Sequence, residues 1–289
     1  MDHVEDPLTT SALKSLASTY RMGLLADVVP FWLRHGLDAE HGGIMTSVNR
    51  DGTVIDTDKG LWQQGRFGWL MATLHHHVEA DPAWHEAGAS AIDFIRKHGA
   101  SEDGQLYFQV TREGKPLRKR RYVFSESFAA IALGAWARVS ESEEDAAEAI
   151  RYFEQFVDYN TTAGKIAPKV DPDTRPSQGI GPNMILINTC QVLRDCIGYD
   201  QADATIDAAI ERIERYFVKP DLEVVMENVG PEGELIDHFD GRTLNPGHAI
   251  EAAWFILHEA HVRGNDARLR KLGCQMLDWM WERGWDKEY

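Results

Sequence analysis

GGIMTSVNRDGTVID, residues 42–56, reads as two β-prone runs joined by an Asp-Gly turn. QLYFQVTREGKPL (105–117) and LEVVMENVGPEGELID (222–237) place Glu-Gly between similar runs. The turn glycines, Gly52, Gly114 and Gly233, are separated by 62 and 119 residues, and the second gap is close to twice the first. A repeat near sixty residues is the reading this spacing supports. At the position the register leaves open stands KVDPDTRPSQG (169–179), a Pro-rich loop.

Between the hairpins the apolar residues recur with the helical period. The pattern predicts nine helices, at about 11–34, 61–78, 82–95, 124–138, 144–158, 182–197, 202–217, 247–262 and 267–282. Each repeat therefore holds two helices and one connecting loop. FAAIALGAWA (128–137) is apolar on every side, which predicts a helix packed between layers. RGWDKEY (283–289) carries Gly, Asp and Glu at the spacing of HGLDAEHGG (35–43), at an offset of 248 residues, four times 62. The next turn glycine would fall at 300. Helix-pair repeats can close into a toroid, and QMLDWMWERGW is too apolar for a polar cap, so the expectation is one domain over 1–289, a fragment of a longer closed barrel.

Composition narrows the partners. The 30 basic and 46 acidic residues give a net charge of −16, a field that repels phosphate backbones and anionic lipid, so neither nucleic acid nor membrane is expected. Cys190, Cys196 and Cys274 form no CxxC pair and read as free thiols of a cytoplasmic protein. MDHVEDPLTT lacks the basic and apolar regions of a signal peptide. HHH at 75–77 cannot ligate one metal from consecutive helix positions, and His75 with Glu79 reads as a solvated helix end. LRKRR (117–121) follows a hairpin and reads as a solvated or salt-bridged loop. No nucleotide fingerprint or calcium loop is present, and no metal or cofactor is expected.

GRTLNPGHAIEAAWFIL (241–257) carries the densest chemistry. Asn245 and Pro246 predict a helix start that places His248 in the first turn, with Glu251 and Phe255 on its face. Ile250, Ala253, Trp254 and Leu257 are expected to fix the helix in the core. The helix dipole is expected to lower the histidine's pKa and favour a neutral base. In KGLWQQGRFGWLMA (59–72), Arg66 sits among Trp62, Phe67 and Trp69 and calls for an anionic partner, structural or substrate.

LWQQGRFGW, RYVFSESFAAIAL, MENVGPEGEL and GRTLNPGHAIEAAWF together resemble the N-acylglucosamine 2-epimerase family, whose superfamily also holds cellobiose 2-epimerases and mannose isomerases. The resemblance extends along essentially the whole chain. It implies an all-α (α/α)6 barrel with short β-hairpins between helices, of which this chain would supply about nine of twelve helices. It implies catalytic roles for His248 and Arg66. Glu251 and Trp254 would orient the histidine and line a sugar pocket, with Asn183, Trp69, Tyr122 and Glu126 as further sugar-binding residues. The implied reaction interconverts N-acetylglucosamine and N-acetylmannosamine through a C2 enediolate, without metal or nicotinamide, in a cytoplasmic protein that can pair as a homodimer.

Three departures qualify the resemblance. MILIN (184–188) lacks a histidine that the sugar isomerases carry, which tilts the reading toward N-acetylhexosamines. Phe124 stands where many members have Tyr. None of the twelve histidines matches the family's second catalytic one, which is expected in a block after WDKEY. Rival readings keep the fold: an epimerase of mannose or glucose, an aldose–ketose isomerase, a glycoside hydrolase using Glu126, Glu227 or Glu251, or a non-catalytic sugar-binding or interaction protein.

Overall fold

A computed structural model describes residues 9–288 other than Arg121 and Ala163. The signal-peptide reading of the first residues, Arg121 of the basic run and Tyr289 of the last repeat match lie outside the described residues. The chain divides into two compact units, residues 1–119 and 120–289.

In the first unit, helix α1 (Thr10–Met22) continues through a π-helical stretch (Gly23–Val28) into α2 (Val29–His35). The single helix expected over 11–34 is thus interrupted in its hydrogen bonding. Pro30 has no N–H to give and its ring crowds the preceding turn, and the wider π turn absorbs that conflict. The hairpin of β1 (Ser47–Val48) and β2 (Val54–Asp56) follows, then β3 (Lys59–Gly60) and the antiparallel helices α3 (Leu61–His77) and α4 (Pro82–His98). Asp81 caps α4 by accepting from Ala83 N–H. Strands β4 (Gln109–Val110) and β5 (Pro116–Arg118) join β3 in a small sheet.

A buried charge cluster locks the first hairpin to this sheet. Lys59 and Asp38 are both fully buried, with Nζ 2.8 Å from Asp38 Oδ2, 2.6 Å from the Gly42 carbonyl oxygen and 4.4 Å from the centre of the Phe94 ring. Arg112 forks onto both Asp38 oxygens at 2.9 Å. Gln64 accepts from the Ile44 N–H and donates to its carbonyl oxygen, at 2.8 and 2.7 Å.

The second unit runs α5 (Phe124–Ser140), α6 (Glu143–Thr161), β6 (Gln178–Gly179), α7 (Gly181–Ile197) and α8 (Ala202–Arg212), which ends in a π-helical turn (Ile213–Phe217). Strands β7 (Val218–Lys219), β8 (Val224–Val225) and β9 (Asn228–Val229) precede a short helix α9 (Phe239–Arg242), then α10 (Pro246–Val262) and α11 (Ala267–Gly284). Helices α6, α8 and α11 pack on α5, α7 and α10 in turn, and α5, α7 and α10 lie side by side. Every residue of α5 from Ser125 to Ala137 is buried, as its all-round apolar sequence predicts. A Cβ on Gly134 would stand 2.8 Å from Leu193 Cδ2, so a larger residue there would have to push the Leu193 side chain aside where α5 meets α7. All nine expected helices are present; α9 is the addition.

Glu259 ties α7 to α10 from full burial. It accepts from both terminal nitrogens of Arg194 at 2.9 Å, from Arg263 Nε at 2.7 Å and from Gln191 Nε2 at 3.0 Å. Burial alone would raise this carboxyl, but those hydrogen bonds overcome it and hold the pKa at about 2 against an ordinary 4.5.

The repeat is visible in the backbone. Met45, Tyr107 and Met226 N–H groups donate to the carbonyl oxygens of Gly36, Gly99 and Phe217, and Asn49, Thr111 and Gly230 donate to those of Thr53, Lys115 and Glu234. Gly52 and Gly114 adopt φ of +88° and +89°, and a Cβ there would lie 2.2 and 2.1 Å from the Nδ1 of His35 and His98.

Two outcomes are expected in urea unfolding. Gly114→Ala should cost more stability than Gly104→Ala, by about 1 kcal/mol or more, because Gly104 shares the positive φ but faces open space. Glu259→Gln should cost about 3 kcal/mol at neutral pH. Its folded pKa is depressed, so the wild-type contribution is complete above 4.5 and is lost as pH falls toward about 2, and the variant should lack that acid loss.

Candidate active site

The site of the second unit is assembled at helix N-termini. Gly179 pairs with Asn228 and Gln178 with Val229, and the Ile180 N–H donates to the Glu227 carbonyl oxygen at 3.0 Å, so the start of α7 is stitched to Glu227 and the strand that follows it. A Cβ on Gly181 would meet Phe124 Cζ at 3.6 Å, which brings the start of α5 to the start of α7. Asn245 caps α10 by accepting from the His248 N–H at 3.2 Å. The ring of His248 then reaches back to Glu227, with Nδ1 3.0 and 3.1 Å from its two carboxylate oxygens.

Glu126, Asn183 and His248 thus occupy the first turns of α5, α7 and α10. Glu126 is fully buried and Asn183 nearly so, whereas the His248 side chain remains 43% exposed. Among the described residues none bonds to Nε2. Trp254 is half exposed, with its ring centre 4.4 Å from that of Phe255. The core face of α10 is instead Ala249, Ala252, Ala253, Phe255, Ile256 and Ala260, so Trp254 is set apart from the packing role expected for it. Tyr122 packs 5.3 Å from Phe124, and Lys169 Nζ lies 3.9 Å above its ring. In the first unit, Arg66 projects from an exposed face of α3 and Trp69 is half buried.

Two expectations change here. The residue bonded to the imidazole is Glu227, not Glu251, which acts on His248 only through its charge. The pKa of His248 is also raised above its ordinary 6.5, not lowered. The Glu227 hydrogen bond is the largest cause, and with the charges of Glu227 and Glu251 it outweighs burial. Sequence had offered Glu227 only as a hydrolytic carboxylate. Its contact with His248 spans 21 residues and no periodicity announces it.

The weaker motifs have local partners. His75 Nδ1 lies 3.0 Å from the Asp81 carbonyl oxygen, and Lys119 of the basic run pairs with Asp103 at 2.7 Å. Among the described residues no three His, Cys, Asp or Glu side chains cluster as metal ligands, and no helix is long and apolar enough to cross a membrane.

The sequence profile of the N-acylglucosamine 2-epimerase (GlcNAc 2-epimerase) family matches residues 42–289. An N-acylglucosamine 2-epimerase of Bos taurus is 33% identical over 274 residues, covering 91% of this chain and 64% of its own length. The chain spans less than two thirds of the length of such curated relatives. A cellobiose 2-epimerase of Bacillus thermoamylovorans superposes with a TM-score of 0.77 at 19% identity, over 93% of this chain and 71% of that one. A D-mannose isomerase gives 0.77 at 17%, over 93% and 72%. The likeness of these structures shows the fold, that of (α/α)6-barrel proteins.

The raised pKa has a measurable consequence. In an NMR titration the His248 imidazole should change protonation above 6.5. A group raised on folding stabilises fully below its unfolded pKa, and that contribution is lost as pH rises through the folded value. Unfolding free energy should therefore decline across that interval in the wild type, and His248→Gln should remove that decline.

Proposed function

The chain belongs to the N-acylglucosamine 2-epimerase family, and from that premise we propose that it acts on a small-molecule sugar as a 2-epimerase, interconverting N-acetylglucosamine and N-acetylmannosamine. The observation that carries the reading is His248: an imidazole held on one side by a carboxylate and open on the other, at the start of a buried helix.

Epimerisation at C2 of the ring-opened sugar breaks a C–H bond next to a carbonyl. His248 takes the C2 proton, and the electron pair spreads over C2, C1 and O1 as the enolate of the 2-acetamido aldehyde. Arg66 supplies a fixed cation for that charge. A proton returned to the opposite face of C2 gives the epimer, and a second acid/base group serves that face. Asn183, Glu251, Trp254, Trp69, Tyr122 and Glu126 bind the sugar in this reading. Glu227 is engaged by the imidazole and Glu126 is fully buried, so the paired carboxylates flanking a cleft that glycoside hydrolysis needs are poorly supported. Free thiols support a cytoplasmic setting, and the exposed Trp281 and Trp285 offer an apolar surface on which a homodimer could form.

The test is deuterium incorporation at C2 of N-acetylmannosamine in D2O, followed by NMR. Incorporation is expected with this chain, and His248→Gln should slow it by about 100-fold or more. A folded protein that incorporates no deuterium, or a His248→Gln variant as fast as the wild type, would overturn the reading. Formation of a ketose from mannose, assayed in parallel, would assign aldose–ketose isomerisation instead.

A further inference from the structure

We propose that Glu227 is the positioning residue of His248: it fixes the ring proton on Nδ1 and thereby makes Nε2 the atom that exchanges a proton with the sugar. The inference rests on the reading of His248 as the base. The geometry is specific. Both oxygens of Glu227 lie within 3.1 Å of Nδ1. An ionised carboxylate can only accept, so the neutral ring must donate from Nδ1 and keep its lone pair on Nε2.

The carboxylate is mounted rigidly. Its carbonyl oxygen accepts from the Ile180 N–H at 3.0 Å, the preceding Met226 N–H donates to the Phe217 carbonyl oxygen at 2.9 Å, and the two following residues form β9. The ring is held from its own side by the Asn245 cap. The charged groups that act on His248 are Glu227 from the bend before β9 and Glu251 from the same helix. Glu227 holds the hydrogen bond, which leaves Glu251 available to sugar hydroxyls.

In the step itself the C2–H bond breaks, an Nε2–H bond forms, and the electron pair passes onto O1 as the enolate. The resulting imidazolium keeps its Nδ1–H bond to Glu227, whose charge stabilises it. Return of the proton from Nε2 runs the same path backwards.

The experiment uses the full chain with 15N-labelled histidine, as wild type, Glu227→Gln and Glu227→Ala. The ring-nitrogen shifts of His248 report the tautomer, and C2 deuterium incorporation reports the chemistry. The wild type should show the Nδ1–H form. Glu227→Gln, whose amide oxygen can still accept, should keep that form while losing about tenfold in exchange rate. Glu227→Ala should move the proton to Nε2 and lose on the order of 1,000-fold, as when the carboxylate behind a catalytic histidine is changed. A wild-type ring protonated on Nε2 would overturn the proposal, as would a Glu227→Ala protein with unchanged tautomer and rate. Should the alanine variant fail to fold by circular dichroism, the near-isosteric glutamine variant decides, with an unchanged His248 titration midpoint and exchange rate counting against Glu227. If the wild type incorporates no deuterium, His248 is not the sugar's base, and the tautomer comparison still upholds or overturns the positioning role by itself.

Discussion

A carboxylate buried between helices is tolerated only when opposite charges reach it, and in the second unit that requirement falls on Glu259. Burial removes its water, and the guanidinium groups of Arg194 and Arg263 with the amide of Gln191 replace it. Two of those donors come from α7 and the acceptor from α10, so the bonds form at one rotation and one register of the two helices. Apolar packing alone, through small residues such as Ala249, Ala252 and Ala260, leaves register less defined. With α7 and α10 fixed, their N-terminal turns and the residues there are fixed as well.

The first unit solves a similar problem with Lys59, Asp38 and Arg112. A lysine at 0% exposure is costly to desolvate, and its two short oxygen contacts and the Phe94 ring beneath it offset that cost. Both clusters join segments that the chain separates widely: Asp38 and Arg112 are 74 residues apart, Arg194 and Glu259 are 65. Helix pairs assemble from local contacts, whereas these long-range charge ties set how successive pairs and hairpins are held within each unit.

Sequence carried most of the fold because its cues are local. The 3.6-residue period, the Asn245-Pro246 start and the turn glycines each act within a few residues, and the helices, the cap and the hairpins at Gly52 and Gly114 follow them. Among the described residues no strand follows Gly233, and β9 pairs with β6 instead. Gly52 and Gly114 are legible for a further reason: the backbone there is left-handed, and a histidine ring occupies the space that any larger side chain would need, so glycine is the residue that fits. The π turn ahead of Pro30 was readable in principle from the proline. The charge clusters and the Glu227–His248 pair were not, because each depends on which distant segments meet. His248 itself stood out through its cap, but its pKa depended on a neighbour 21 residues away.

That dependence shows how opposing local fields are resolved at the site. A helix N-terminus disfavours a cation in its first turn, by about 0.3–1 kcal/mol at a partly exposed position. A hydrogen-bonded carboxylate favours the same cation and acts at contact distance, where a charge-assisted bond is the stronger interaction. The dipole is a fixed feature of any helix start, whereas the carboxylate sits in a separate segment, immediately before β9. Base strength at this position is thus set less by the helix that carries the histidine than by the β6–β9 ladder that aims Glu227 at it. The short strands between helices, which contribute little to the core, act on the chemistry by placing one charge.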